Sequence, residues 1–241
     1  MWVSWVSCLS CIAFAADGIT PRQLSLADPS RNRAIPVALY SEAAPSKLAI
    51  VSHGYGGKNT AYSFIASYLA ARGYLVASIQ HEIPGDEPLP TTGRPYEVRM
   101  PSWKRGVENI LFVIGEVSKQ HPELRQAPVL LVGHSHGGDT SMLLARDRPD
   151  LVDTVISLDN RRMPIPRLSK PRILTIRSSD QPPDEGVLPS EDEQKTFGIR
   201  VVTLTATKHD EMWDGATESQ KAEILRYIGE FTERRPSPLI R

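Results

Sequence analysis

A chain of 241 residues is long enough for one large α/β domain with a full core. Lys plus Arg and Asp plus Glu both number 28, a formal net charge of zero without any basic run, which argues against nucleic acid as a partner. After the first 16 residues no apolar stretch approaches the roughly 20 residues that span a bilayer.

The N-terminus departs from the rest. Trp2 to Ala16 is apolar or small and uncharged, and Ala13-Phe14-Ala15-Ala16 precedes Asp17. Small residues at that point suit cleavage after Ala15 or Ala16, although no basic residue precedes the apolar run. Residues 1–16 are therefore read as a signal peptide and 17–241 as a single domain, secreted or periplasmic; without a functional signal the chain would stay cytoplasmic. Cys8 and Cys11 both fall in the leader, so the mature chain would carry neither thiol nor disulfide. Cys8-Leu9-Ser10 before Cys11 is a poor match to a lipoprotein site.

Leu24 to Leu26 and Ile35 to Tyr40 read as two early strands joined by the turn-rich Asp28-Pro29-Ser30-Arg31-Asn32-Arg33. Leu48 to Ser52 is a continuous apolar run, the mark of a strand buried on both faces, and it enters His53-Gly54-Tyr55-Gly56-Gly57. Ala61, Phe64, Ile65, Tyr68 and Leu69 then recur at helical spacing, with Asn59 or Thr60 as cap and Gly73 as stop. Tyr74 to Ile79 is the next strand. Residues 80–101 read as a long Pro- and Gly-rich loop, after which Ser102 caps a helix carrying Val107, Ile110, Leu111, Ile114 and Val117.

Val129-Leu130-Leu131-Val132 leads into Gly133-His134-Ser135-His136-Gly137-Gly138 and then a helical segment. Strand, sharp turn and helix with serine at the tip form the nucleophile elbow of an α/β-hydrolase. Val152 to Leu158 is a strand that ends in Asp159, Arg172 to Arg177 is another, and 180–198 reads as a second long polar loop. Ile199 to Thr205 is the last strand, His209 follows it, and the closing helix carries Ile224, Leu225, Ile228 and Phe231. Alternation of this kind predicts a mostly parallel sheet with helices on both faces and no separate cap domain.

A serine nucleophile needs a base, and the base needs an orienting acid. In this fold they follow in the order serine, acid, histidine, and His209 is the one histidine after the elbow. Two acids compete. Asp159 directly follows a buried strand and needs a partner there, which favours it. Asp180 follows the next strand, the commoner position for the acid. The oxyanion donors are expected to be the main-chain N–H groups of His136 and Tyr55, the latter brought close by Gly54 and Gly56. His134-x-His136 straddles the elbow without a third residue at metal-ligand spacing, so no metal and no cofactor is called for; His53 and His134 are expected beneath the site.

Ser52 to Gly57, Tyr62-Ser63, the run Leu69 to Ala77 closing on His81, Gly133 to Gly138, Ile156 to Asp159 and Met163-Pro164 together resemble platelet-activating-factor acetylhydrolases. They are similar also to dienelactone-hydrolase-like, chlorophyllase-like and polyester-hydrolase-like enzymes. The resemblance covers about residues 28–215 and implies a serine esterase. Likeness to the acetylhydrolases implies Asp159 as the acid, and likeness to the polyester hydrolases implies Asp180. Asn160-Arg161-Arg162 replaces an apolar stretch of the acetylhydrolases, which counts against a lipid substrate. The expected substrate is a small-molecule ester with a small or exposed acyl group, cleaved through an acyl-enzyme. The expected pocket is shallow and lined by Tyr55, Trp103, Met163 and Met212. Arg161 and Arg162 are expected either to tie to loop carboxylates such as Asp184 or to recognise an acidic group on the substrate.

Overall fold

The computed structural model describes residues 18–42, 44–124 and 127–233. The segment read as a signal peptide, with both cysteines, lies outside them. Eight strands form one sheet: β1 (Arg22–Asp28), β2 (Arg33–Tyr40), β3 (Lys47–Ser52), β4 (Tyr74–Ile79), β5 (Val129–His134), β6 (Val152–Leu158), β7 (Arg172–Arg177) and β8 (Arg200–Thr203). Their order across the sheet is β1-β2-β4-β3-β5-β6-β7-β8. The first two ladders, β1 with β2 and β2 with β4, are antiparallel. Every later ladder is parallel. The hairpin joining β1 to β2 turns at Asn32, whose φ of 48° lies in the left-handed region that asparagine tolerates.

Helices cover both faces because successive strand residues point to opposite sides. Ile50, Leu131 and Val155 face a core completed by Trp103, Ile110 and Val113 of α2 (Pro95–Gln120) and by Met142 and Leu143 of α3 (His136–Asp147). Ala49, Val51, Val132 and Ile156 face the other, closed by Ile65 and Leu69 of α1 (Ser63–Ala70) and by Ile224, Ile228 and Phe231 of α5 (Glu218–Glu233). All the parallel strands therefore present their carboxyl ends, and the loops that follow, along one edge, where open α/β sheets bind ligands.

Three local expectations are corrected. The helix expected from Ser102 begins at Pro95, so the loop after β4 is shorter and Tyr96 and Met100 belong to α2. Pro95 occupies the first helical turn, where its missing N–H costs nothing, and Pro101 is carried inside the helix by the buried Trp103, Ile110 and Val113 that follow it. The polar stretch after β7 contains α4 (Glu191–Phe197), opened by a reciprocal Ser190–Glu193 capping box and ended by Gly198 at a φ of 68°. Neither Asn59 nor Thr60 caps α1. Its first N–H groups, from Ser63 and Phe64, donate to the two carboxylate oxygens of Asp214 at 3.0 and 3.1 Å, from a loop 150 residues away.

Candidate active site

Ser135 sits between β5 and α3 at φ 50° and ψ −115°, a conformation a non-glycine residue holds only when its surroundings impose it. Its N–H donates to Leu158 O at 2.8 Å, and its carbonyl accepts from Asp139 N–H at 2.9 Å. Glycine is obligatory on both sides. A Cβ at Gly133 would lie 2.3 Å from Gly137 O, and one at Gly137 would lie 2.3 Å from Ser52 O. The elbow is thus wedged between the end of β3 and the start of its own helix.

His209 opens a 3-10 turn (His209–Glu211) beyond β8, and its ring lies over the elbow. His209 Nε2 is 3.0 Å from Ser135 Oγ, and His209 Nδ1 is 2.6 Å from Asp159 Oδ2. Asp159, fully buried, follows β6 with a φ of 57°. Asp180 plays a different part: its Oδ1 accepts the main-chain N–H of His209 at 2.8 Å, so it fixes the backbone that carries the ring. Of the two acids that sequence left open, the geometry brings Asp159 to the imidazole.

Sequence reasoning missed the other side of Asp159. Arg177, the last residue of β7 and itself buried, places Nη2 2.6 Å from Asp159 Oδ1 and donates from Nη1 to Asn160 O at 2.5 Å. Ser178 adds its N–H at 3.1 Å and its hydroxyl at 2.7 Å. Burial alone would raise the Asp159 carboxyl, but the hydrogen bond from His209, the Arg177 charge and the Ser178 donors outweigh it and hold it below its ordinary value. An arginine ending an otherwise apolar strand was the available signal, since a buried guanidinium requires a partner.

Four other histidines, His53, His81, His134 and His136, are structural parts of the site. Gly54 N–H donates to the Tyr62 hydroxyl at 3.3 Å, Tyr62 O–H donates to His134 Nδ1 at 2.7 Å, and His134 Nε2–H donates to His209 O at 3.1 Å. This assignment needs a neutral His134, in keeping with burial and the adjacent His209 depressing its pKa to about 3. His136 likewise accepts from Trp103 Nε1 at 3.0 Å on Nδ1 and meets Ser102 Oγ at 3.1 Å on Nε2, and burial lowers its pKa to about 3. His53 Nε2 accepts from His81 N–H at 3.0 Å.

Tyr55 rides the tip of a tight turn closed by Gly57 N–H on Gly54 O at 2.9 Å, and Gly56 supplies the positive φ of 75° that the turn requires. A Cβ on Gly54 would come within 2.9 Å of His134 Nδ1, so this loop presses directly on the elbow. The Tyr55 ring stands edge-on to His136 at 6.1 Å. His136 N–H begins α3, where first-turn N–H groups have no acceptor within the helix.

The expected pocket lining is corrected in three places. Trp103, Met163 and Met212 are fully buried, packed into the two cores, and offer no surface to a ligand. Trp103 acts from beneath, through the His136 ring. Tyr55 is half exposed, with its hydroxyl accepting from Leu89 N–H at 3.2 Å. Arg161 and Arg162 both turn toward the loop after β7, Arg161 bonding Gln181 and Arg162 pairing with Asp184. Neither contacts Asp159. Asp139 of α3, another residue the sequence reading passed over, accepts the N–H groups of Arg162 and Met163 at 3.0 and 2.9 Å and so pins the strand-end loop to the elbow helix. Burial raises its pKa to about 6.

A family model described as serine aminopeptidase, S33, matches residues 43–158. The mouse (Mus musculus) sn-1-specific diacylglycerol lipase ABHD11 is 32% identical over 108 residues, 44% of this chain and 30% of that protein, so the match spans under a third of the relative's length. Among solved structures, a ferulic acid esterase from Streptomyces cinnamoneus superposes with a TM-score of 0.63 at 20% identity, covering 92% of both chains. A dienelactone hydrolase-like promiscuous phosphotriesterase, P91, from metagenomic libraries does so with a TM-score of 0.68 at 16% identity, covering 90% of this chain and 98% of that one. The sheet order, the serine-bearing elbow and these likenesses agree on one architecture: the chain has the α/β-hydrolase fold.

Proposed function

We propose that the protein hydrolyses carboxylic esters of small molecules through an acyl-enzyme, with Ser135 as nucleophile, His209 as base and Asp159 as the orienting acid. One observation carries this reading: the unbroken line from Asp159 Oδ2 through the His209 ring to Ser135 Oγ, at 2.6 and 3.0 Å, with the serine held in a strained turn. His209 Nε2 takes the Ser135 proton as Oγ attacks the carbonyl carbon. The imidazolium that forms is stabilised through Nδ1–H by Asp159, and the oxyanion falls to the N–H groups of His136 and Tyr55. His209 then gives the proton to the departing alkoxide. Water, deprotonated by the same ring, attacks the acyl-enzyme and restores Ser135. Labelling by a fluorophosphonate, together with turnover of 4-nitrophenyl esters of increasing acyl length, tests the assignment. Ser135→Ala should abolish labelling and lower kcat by at least ~10³-fold. Retention of a tenth of the activity would overturn the serine mechanism.

A second reading, hydrolysis of amides or peptides on the same side chains, is favoured by the description of the matching family model. Matched ester and amide substrates with the same acyl group separate the two, because amide cleavage makes far heavier demands on protonation of the leaving group. Export belongs to the proposal as well: intact mass of protein from its native host should give a mature chain beginning at Ala16 or Asp17.

A further inference from the structure

Beside the Tyr55 loop lies a cavity of about 350 Å³, bounded by Tyr55, Leu89, Pro90, Gly93, Val98 and Arg99. Its walls are mostly apolar, with the hydroxyls of Tyr55 and Thr91 and one charged group, Arg99. Arg99, on the first turns of α2, has no ion-pair partner among the described residues, and its buried Nε has no hydrogen-bond acceptor. Arg162 shows the same deficit: its Nε is buried and unpartnered even though Nη1 is tied to Asp184. Arg161 meets only the neutral amide of Gln181 through its guanidinium. Burial and the charges of Arg162 and Arg161 all work against the Arg99 cation, relieved in part by Asp139 and Asp184. Burial raises the Asp139 carboxyl to about 6, so it keeps its charge at neutral pH and loses it only as pH falls through that value. Three guanidinium groups thus converge on one edge of the site against two carboxylates, the buried Asp139 and the half-buried Asp184. A desolvated donor left unsatisfied costs on the order of 1–3 kcal/mol, and more when charged.

We propose that Arg99 is the anion-recognising residue of a substrate subsite, and that the ester this enzyme takes carries a carboxylate seated on Arg99 with its apolar body in the cavity. The proposal rests on the esterase reading and deepens it. The arginines that follow Asp159 in sequence serve as the electrostatic backdrop, already committed to the loop after β7, whereas Arg99 keeps its donors free. A planar fork suits a carboxylate through two parallel hydrogen bonds. The cavity sits against Tyr55, whose ring is 6.1 Å from that of His136, the residue that follows Ser135.

Three esters provide the test: neutral 4-nitrophenyl butyrate, the 4-nitrophenyl monoester of glutarate with its charge on the acyl side, and 3-carboxy-4-nitrophenyl butyrate with its charge on the leaving side. At least one charged ester should have a KM about tenfold or more below that of the neutral ester. Arg99→Gln should remove that difference and leave the neutral ester unchanged, while Arg99→Lys restores part of it. Equal KM values for all three esters in the unmutated enzyme, or an equal response of all three to Arg99→Gln, would overturn the subsite while leaving the esterase reading intact. If none of the three is cleaved, it is the esterase reading that fails. Glutarate alone then decides the subsite: millimolar glutarate should raise the Tm of the unmutated protein and not that of Arg99→Gln, and no rise in either overturns it.

Discussion

Arg177 gives the Asp159 carboxylate a second claimant, and the balance between its two neighbours sets how strongly it supports His209. The guanidinium at 2.6 Å draws negative charge away from the imidazole side. Replacing it by Met removes that competition, so the imidazolium becomes easier to form. The acid limb of the kcat/KM profile should therefore move to higher pH in Arg177→Met. Stability should fall at the same time by roughly 3–5 kcal/mol, the usual cost of stripping one partner from a buried ion pair. Chemical denaturation and a pH–rate profile on the same preparation check both parts, and an unmoved acid limb would mean that Arg177 serves only packing. Because Asp159 is held below its ordinary 3.8, its contribution is present above that pH and lost as pH falls through the folded value. Acid unfolding should thus begin later in the unmutated protein than in Arg177→Met. Ser135 and His209 were readable from sequence because each is marked locally, one by flanking glycines and the other by its place after the last strand. The choice between Asp159 and Asp180 was not, since both end neighbouring strands of one sheet. Only the three-dimensional path shows that one meets the ring and the other the main chain.

At the scale of elements, what sequence conceals is contact across long separations. The parallel strands were legible because burial on both faces leaves them almost continuously apolar. Helix α4 was hidden for the opposite reason: only Phe197 packs, in part, against the core, so it has no apolar stripe, and its clearest sequence mark is the Ser190–Glu193 pair. Helix α2 was cut short by reading residues 80–101 as a Pro- and Gly-rich loop with Ser102 as the cap, although tertiary packing of its later turns tolerates Pro101 inside the helix. Helix α1 depends on a cap supplied from 150 residues away. Asp214 also donates its own N–H to Ala61 O at 2.9 Å, which ties the loop carrying His209 to the start of α1. Asp214→Ala should cost about 1 kcal/mol, as loss of a carboxylate cap commonly does. Asp214→Asn, which retains one acceptor oxygen, should recover part of it. Thermal unfolding of the pair checks this, and an unchanged Tm in Asp214→Ala would show that the cap carries no energy.

Across the whole molecule, the loops that carry the site are bound to one another more than to solvent, and one carboxyl among them resists ionisation. Glu82 follows β4, accepts from Gly56 N–H of the Tyr55 turn, and leaves Oε2 buried without a hydrogen bond, 3.6 Å from His53 Nδ1. Burial pushes its pKa up to about 7; Gly56 N–H, Arg105 and Arg33 oppose that and Asp86 adds to it. The native state therefore holds a proton that the unfolded chain gives up near the ordinary value of 4.5. A folded pKa above the unfolded one means that the stabilising contribution is complete below about pH 4.5 and is lost as pH rises through 7. Glu82→Gln keeps the shape and never ionises. Near pH 4 it should match the unmutated protein within a few tenths of a kcal/mol. Near pH 8.5 it should be more stable by on the order of 2 kcal/mol, a Tm gain of roughly 5 °C for a chain of this size. Gln Oε1 still accepts from Gly56 N–H, so the comparison isolates charge from geometry. Melting curves of both proteins at the two pH values decide it: a difference of the same size at each would show that Glu82 is ionised throughout, and that the Tyr55 turn is held by a carboxylate and not by a carboxylic acid.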